Sequence, residues 1–97
     1  MMFDWIHVGA AVPAITVANP QKNTEEICRL IRRAKDPALL VFPELCVTGY
    51  TCGDLFFQAA LQKAVQESIF RIAKETEGRT GIVIAGAPLL INGQLYN

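Results

Sequence analysis

Three kinds of side chain within residues 39–57, LLVFPELCVTGYTCGDLFF, could do chemistry: the carboxylates Glu44 and Asp54, the thiols Cys46 and Cys52, and the phenol Tyr50. Glu44 follows an apolar run, Leu39-Leu40-Val41-Phe42, and then Pro43. A short apolar run bounded by turn residues reads as a strand buried on both faces. Proline cannot donate to a ladder, so the strand is expected to end there. Glu44 then stands just past the carboxyl end of a parallel strand, where open α/β sheets place their ligand crevices. Among Phe42, Leu45 and Val47 it is expected to be partly desolvated, which disfavours its charged form and suits a general base. The structural alternative is a carboxylate that caps a turn or pairs with a surface lysine.

Cys46 lies two residues past Glu44, so in an extended chain the two side chains would share one side. A nucleophile also needs an orienting third group and oxyanion donors in set geometry. No lysine stands between Phe42 and Gln62, and Cys46 reads as a small packed thiol, as do Cys28 and Cys52. Tyr50 follows the Thr48-Gly49 break; its structural role is to pack the strand end with its hydroxyl hydrogen-bonded. Asp54 caps the turn at 55–57 in one reading and contacts a substrate in the other. His7, the one histidine, reads as structural at the start of a strand, and Trp5 and Phe3 as edge packing.

These groups need elements to position them. Residues 6–11 read as a first strand, with Pro13 near its end and Asn19-Pro20 as a turn signal. Asn23 resembles a helix N-cap, with Glu26 as its capping-box partner. Ile27, Leu30, Ile31 and Ala34 then give residues 24–35 one apolar face. Glu25 and Glu26 in the first turn, with Arg32, Arg33 and Lys35 in the last, would match the helix dipole. That basic cluster reads as a solvated face rather than a phosphate site. Asp36-Pro37 closes the helix. Residues 39–42 form the second strand, 58–77 a second helix with Gly78 past its end, and 81–87 (GIVIAGA) a third strand. Asn92-Gly93 joins 89–91 to 94–96 as a hairpin. Strands alternating with helices predict a mainly parallel sheet with right-handed crossovers.

The totals set bounds. The 97 residues suffice for one small domain, and nine basic residues balance nine acidic ones, which gives no electrostatic footprint for nucleic acid or an anionic membrane. At 52% hydrophobic and 19% charged, the chain is richer in apolar residues than an average domain. No 18-residue apolar stretch suggests a transmembrane helix, and no basic-then-apolar N-terminal segment suggests a signal peptide. Three cysteines without metal-ligand spacing point to no metal site and to a reduced, cytoplasmic compartment.

FPELCVTGY, residues 42–50, resembles the nitrilase, or carbon–nitrogen hydrolase, superfamily, whose members carry a Phe-Pro-Glu strand end followed by a Thr-Gly-Tyr turn. The first strand, the Asn23 helix start, Gly86-Ala87-Pro88 and Tyr96-Asn97 fall in the superfamily's order. Tyr50, Asp54, Leu55 and Phe56 look most like the glutaminase domain of glutamine-dependent NAD synthetases. The resemblance implies an αββα sandwich, of which residues 1–97 would be an N-terminal part, truncated before two members of a Glu-Lys-Cys triad. The sheet would be mainly parallel, with both helices on one face. It assigns Glu44 as the general base and Tyr50 to the wall of the glutamine pocket. The parent would release ammonia from glutamine for ATP-dependent amidation of nicotinic acid adenine dinucleotide, with ATP and magnesium bound elsewhere and no cofactor on this segment. It would be a homo-oligomer, and these residues alone would be inactive. A stand-alone amidase or nitrilase acting on another small amide or nitrile is the alternative.

Overall fold

A computed structural model describes residues 5–97, so the reading of Phe3 lies outside the described residues. The chain order is β1 (Val8–Ala10), α1 (Pro20–Arg33), β2 (Leu39–Val41), a 3-10 helix (Gly53–Phe57), α2 (Ala59–Glu75), β3 (Ile82–Ile84), β4 (Leu89–Ile91) and β5 (Gln94–Tyr96). β1, β2 and β3 form one parallel sheet in that order, and β4 and β5 form an antiparallel hairpin. The parallel sheet and the alternation with helices are as predicted. β1, β2 and β3 are each shorter than their apolar runs, although single inter-strand bonds continue past them, with Ala11 donating to the Val41 carbonyl at 2.9 Å.

Strand side chains alternate between faces. The register aligns Gly9, Leu40 and Val83 in one row, and this row meets the helices. Leu40 is buried, and Val83 packs against a core formed with Ile27 and Ile31 of α1 and Leu61, Val65 and Ile72 of α2. The neighbouring rows point the other way: Val8 is 67% exposed and Ile82 64%. The prediction of strands buried on both faces is therefore corrected. Both helices cover the same face, and the opposite face is open.

α1 starts four residues earlier than its apolar periodicity suggests. Asn19 is the N-cap, its side chain accepting from the Lys22 N–H at 3.1 Å, and Pro20 occupies the first turn. Proline's fixed φ suits that position, so Asn19-Pro20 begins the helix instead of marking a separate turn. This corrects the N-cap assignment of Asn23, which lies inside the helix. It also takes Glu25 and Glu26 out of the first turn; Glu26 pairs with Arg29, whose guanidinium holds its carboxyl below the usual range. Arg32 and Arg33 do occupy the last turn, and Arg32 reaches Glu75 of α2 at 2.7 Å.

The C-terminal end of α1 is closed by a group far along the chain. The Arg79 guanidinium donates to the carbonyls of Ile31 and Ala34. Asp36, at φ 45°, accepts from the Thr80 hydroxyl at 2.9 Å and from the N–H groups of Thr80 and Gly81. Gly81 admits this approach because a Cβ there would stand 1.9 Å from the Pro37 carbonyl oxygen. α2 falls within its predicted span. Asp54 makes no capping bond on the 3-10 helix, contrary to its predicted role. Trp5 is exposed rather than packed at an edge, and His7 joins the fold through its backbone carbonyl, which accepts from Ala38. The hairpin is as predicted, with Asn92 at φ 50° and Gly93 at φ 78°.

Candidate functional site

The β2–β3 pairing continues one residue past the ladder, with the Phe42 N–H donating to the Ile84 carbonyl at 2.8 Å. Pro43 then releases the chain from the sheet, and residues 44–48 form a tight turn. Leu45 takes φ 53°, and its carbonyl accepts from Thr48 at 3.2 Å and from Gly49 at 2.7 Å. The turn splits its residues between two environments. Cys46, Val47 and Thr48 are buried, while Glu44 faces solvent.

Glu44 therefore stands at the carboxyl end of a parallel strand, as predicted, but without the expected desolvation. Phe42 and Val47 point into the core instead of surrounding it. What the carboxylate has is a partner. The Tyr50 hydroxyl donates to Glu44 Oε1, so the structure brings the two predicted site residues together. Tyr50 is itself 64% exposed. Donating to the carboxylate holds its phenol above the ordinary tyrosine range, with slight desolvation and the carboxylate's charge acting the same way.

Cys46 does not join them. The turn replaces the extended chain that would have put it beside Glu44, and it is 1% exposed, with its thiol 3.7 Å from the Gly86 carbonyl. Burial pushes that thiol's pKa up, opposite to what a nucleophile needs. Cys28 and Cys52 are also buried. Asp54 is exposed and makes no capping bond. Among the described residues, no group of three or more histidine, cysteine, aspartate or glutamate side chains could hold a metal ion.

Three further residues shape this region through contacts that the sequence does not announce. Asn23 is wholly buried; its amide donates to the Thr16 carbonyl at 2.8 Å and the Val47 carbonyl at 2.9 Å, while its oxygen accepts from the Thr16 N–H at 2.7 Å. Its signal was the four-residue spacing Asn23-Ile27-Ile31, which puts an amide on the apolar stripe. Gly86 lies against the Glu44–Leu45 peptide, and its carbonyl accepts from the Val47 N–H at 3.2 Å. Gln62, buried on α2, donates to the Phe56 carbonyl at 2.8 Å and accepts from the Leu90 N–H at 3.0 Å. It ties the 3-10 helix to the hairpin. Beside the turn, Leu45, Phe56, Pro88, Leu95 and Tyr96 line a cavity of about 120 Å³. A larger groove of about 360 Å³ runs between α2 and the free edge of β3, but Ile69, Ile72, Val83 and Ala85 make it apolar.

No protein-family model matches the chain. Curated relatives do. The glutamine-dependent NAD(+) synthetase of Mycobacterium leprae is 30% identical over 95 residues, covering 96% of this chain and 14% of the relative. That of Xylella fastidiosa is 30% identical over 99 residues, covering 99% of this chain and 18% of the relative. The chain thus spans under a fifth of these relatives' length. Solved structures agree. The glutamine-dependent NAD(+) synthetase of Cytophaga hutchinsonii superposes with a TM-score of 0.85 at 34% identity, covering 95% of this chain and 16% of that one. The Acinetobacter baumannii enzyme, solved with ADP, gives 0.73 at 28% identity, covering 91% of this chain and 17% of that one. No helix is long and apolar enough to cross a membrane among the described residues. Over the residues it spans, this chain is similar in sequence and fold to the N-terminal, nitrilase-like part of the glutamine-dependent NAD(+) synthetases.

Proposed function

We propose that this chain is the base-carrying segment of a glutamine amidohydrolase that supplies ammonia for NAD synthesis. The observation that supports it best is the hydrogen-bonded pair of Glu44 and Tyr50 at the carboxyl end of β2. In this reading a cysteine thiol from another part of the synthetase attacks the side-chain amide of glutamine. Glu44 takes the thiol proton and passes it to the leaving ammonia, so a thioester forms as the C–N bond breaks. Glu44 then removes a proton from the water that cleaves the thioester, releasing glutamate and the thiol. A lysine, also from elsewhere in the synthetase, stabilises the charge on the tetrahedral intermediate. Tyr50 orients the carboxylate and lines the glutamine pocket. Cys46 has no part, because it is buried and turned to Gly86.

The ammonia goes to an ATP-dependent step that amidates nicotinic acid adenine dinucleotide. This chain has no glycine-rich phosphate loop, and its described residues offer no acidic cluster for magnesium. ATP and magnesium are proposed to bind elsewhere in the synthetase. Three free, buried cysteines suit a reducing, cytoplasmic setting, and the synthetase is proposed to be a homo-oligomer.

A hybrid enzyme tests this reading. The 95 residues matched in the Mycobacterium leprae synthetase are replaced by this chain, and product formation is followed with glutamine or with ammonia as nitrogen source. The hybrid is expected to work with both. A hybrid that works with ammonia and not with glutamine overturns the reading, since the ammonia-driven rate reports that the enzyme is folded.

A further inference from the structure

The Glu44 carboxylate is carried by turn 44–48, whose Cys46 and Val47 pack into the core. Ala18 donates its N–H to the Thr48 carbonyl at 2.8 Å, and two further remote residues hold the middle of the turn at Val47. From α1, the buried Asn23 amide donates to the Val47 carbonyl at 2.9 Å. From the segment after β3, the Gly86 carbonyl accepts from the Val47 N–H at 3.2 Å. Both polar groups of the Val47 residue are thus fixed, one by each. Asn23 is anchored in turn by its two bonds to Thr16, so its amide cannot swing away without losing three hydrogen bonds.

Gly86 also sets how closely the turn can approach. A Cβ built on it would stand 2.3 Å from the Leu45 nitrogen and 2.9 Å from the Glu44 carbonyl carbon and Cα. These are backbone atoms, which no rotamer change can move aside. Any side chain at 86 must therefore displace the Glu44–Leu45 peptide itself. Leu45 already sits at φ 53°, in the left-handed region that non-glycine residues seldom adopt, so the turn holds a conformation its surroundings impose.

We propose that Asn23 and Gly86 are positioning residues that hold turn 44–48 so that the Glu44 carboxylate meets the Tyr50 hydroxyl. Its functional meaning rests on the reading of Glu44 as the working base, but the geometry can be tested without it.

The readout is the titration of Tyr50 in this chain, followed by NMR of the labelled ring carbon Cζ and assigned with Tyr50→Phe. The Glu44 contact holds the Tyr50 phenol above its ordinary range. Gly86→Ala and Asn23→Ala are each expected to bring the titration back towards the ordinary tyrosine value. Gly81→Ala is the control. Its Cβ would meet the Pro37 carbonyl at 1.9 Å, at the other end of β3 from the turn. It should lower Tm and leave the Tyr50 titration high. An unchanged Tyr50 titration in folded Gly86→Ala, or an equal change in Gly81→Ala, overturns the proposal.

If the single variants do not fold in this chain, the hybrid synthetase carries the test. There Gly86→Ala is expected to lower glutamine-driven kcat at least tenfold with KM and the ammonia-driven rate little changed. Equal loss of both rates overturns the proposal. A Tyr50 titration that responds to Gly86→Ala, beside a hybrid that never uses glutamine, would retire the glutaminase reading and leave the positioning roles standing.

Discussion

Tyr50 and Glu44 could be picked out from FPELCVTGY before any fold was known, because proline ends the strand and Thr-Gly turns the chain back. Their hydrogen bond could not, because it depends on the positive φ of Leu45 and on the close approach of Gly86. Asn23 differs from its expected role for a local reason. It has the composition of an N-cap, but Asn19-Pro20 supplies a better helix start, which leaves the Asn23 amide to bridge two carbonyls. The cysteines were legible as packed thiols. Burial of Cys28, Cys46 and Cys52 predicts that a water-soluble thiol reagent reacts with them slowly in the native chain and quickly after denaturation. Rapid modification of Cys46 under native conditions, traced by mass spectrometry, would contradict its burial against Gly86.

At the level of elements, periodicity located both helices and the order β-α-β-α-β, because apolar residues recur as the core requires. It missed the ends, where single polar groups decide. Arg79 and Asp36 join the end of α1 to the start of β3 by bonds spanning more than forty residues, beyond any local pattern. Hydrogen bonds from Thr80, and to a lesser degree from Gly81 and the charge of Arg79, hold the Asp36 carboxyl below the usual aspartate range. A carboxylate whose pKa is lowered on folding stabilises the native state above its unfolded pKa, near 3.8, and loses that effect as pH falls through the lower folded value. Asp36→Asn is therefore expected to lower Tm at neutral pH and to leave a flatter decline of Tm below about pH 4. Parallel Tm–pH curves for the two proteins would rule out this role for Asp36.

For the whole molecule, the sheet has one face covered by α1 and α2 and one face lined by Val8, Val41, Ile82 and Ile84 that meets solvent. The apolar runs suggested cover on both sides, and only half of that cover comes from these residues. At the site, a carboxylate and its phenol partner stand at a strand end, and the Cys46 thiol is buried away from them. Both features suit a chain that spans 14–18% of the synthetases it matches. Glu44 is proposed to serve amide hydrolysis and nothing else. The direct measurement is the Glu44→Gln substitution in the hybrid synthetase, with product formation followed separately on glutamine and on ammonia. Removing the base while keeping its shape is expected to lower the glutamine-driven rate by about 10² or more and to leave the ammonia-driven rate intact. Equal loss on both nitrogen sources would make Glu44 a structural residue at a strand end and contradict the claim.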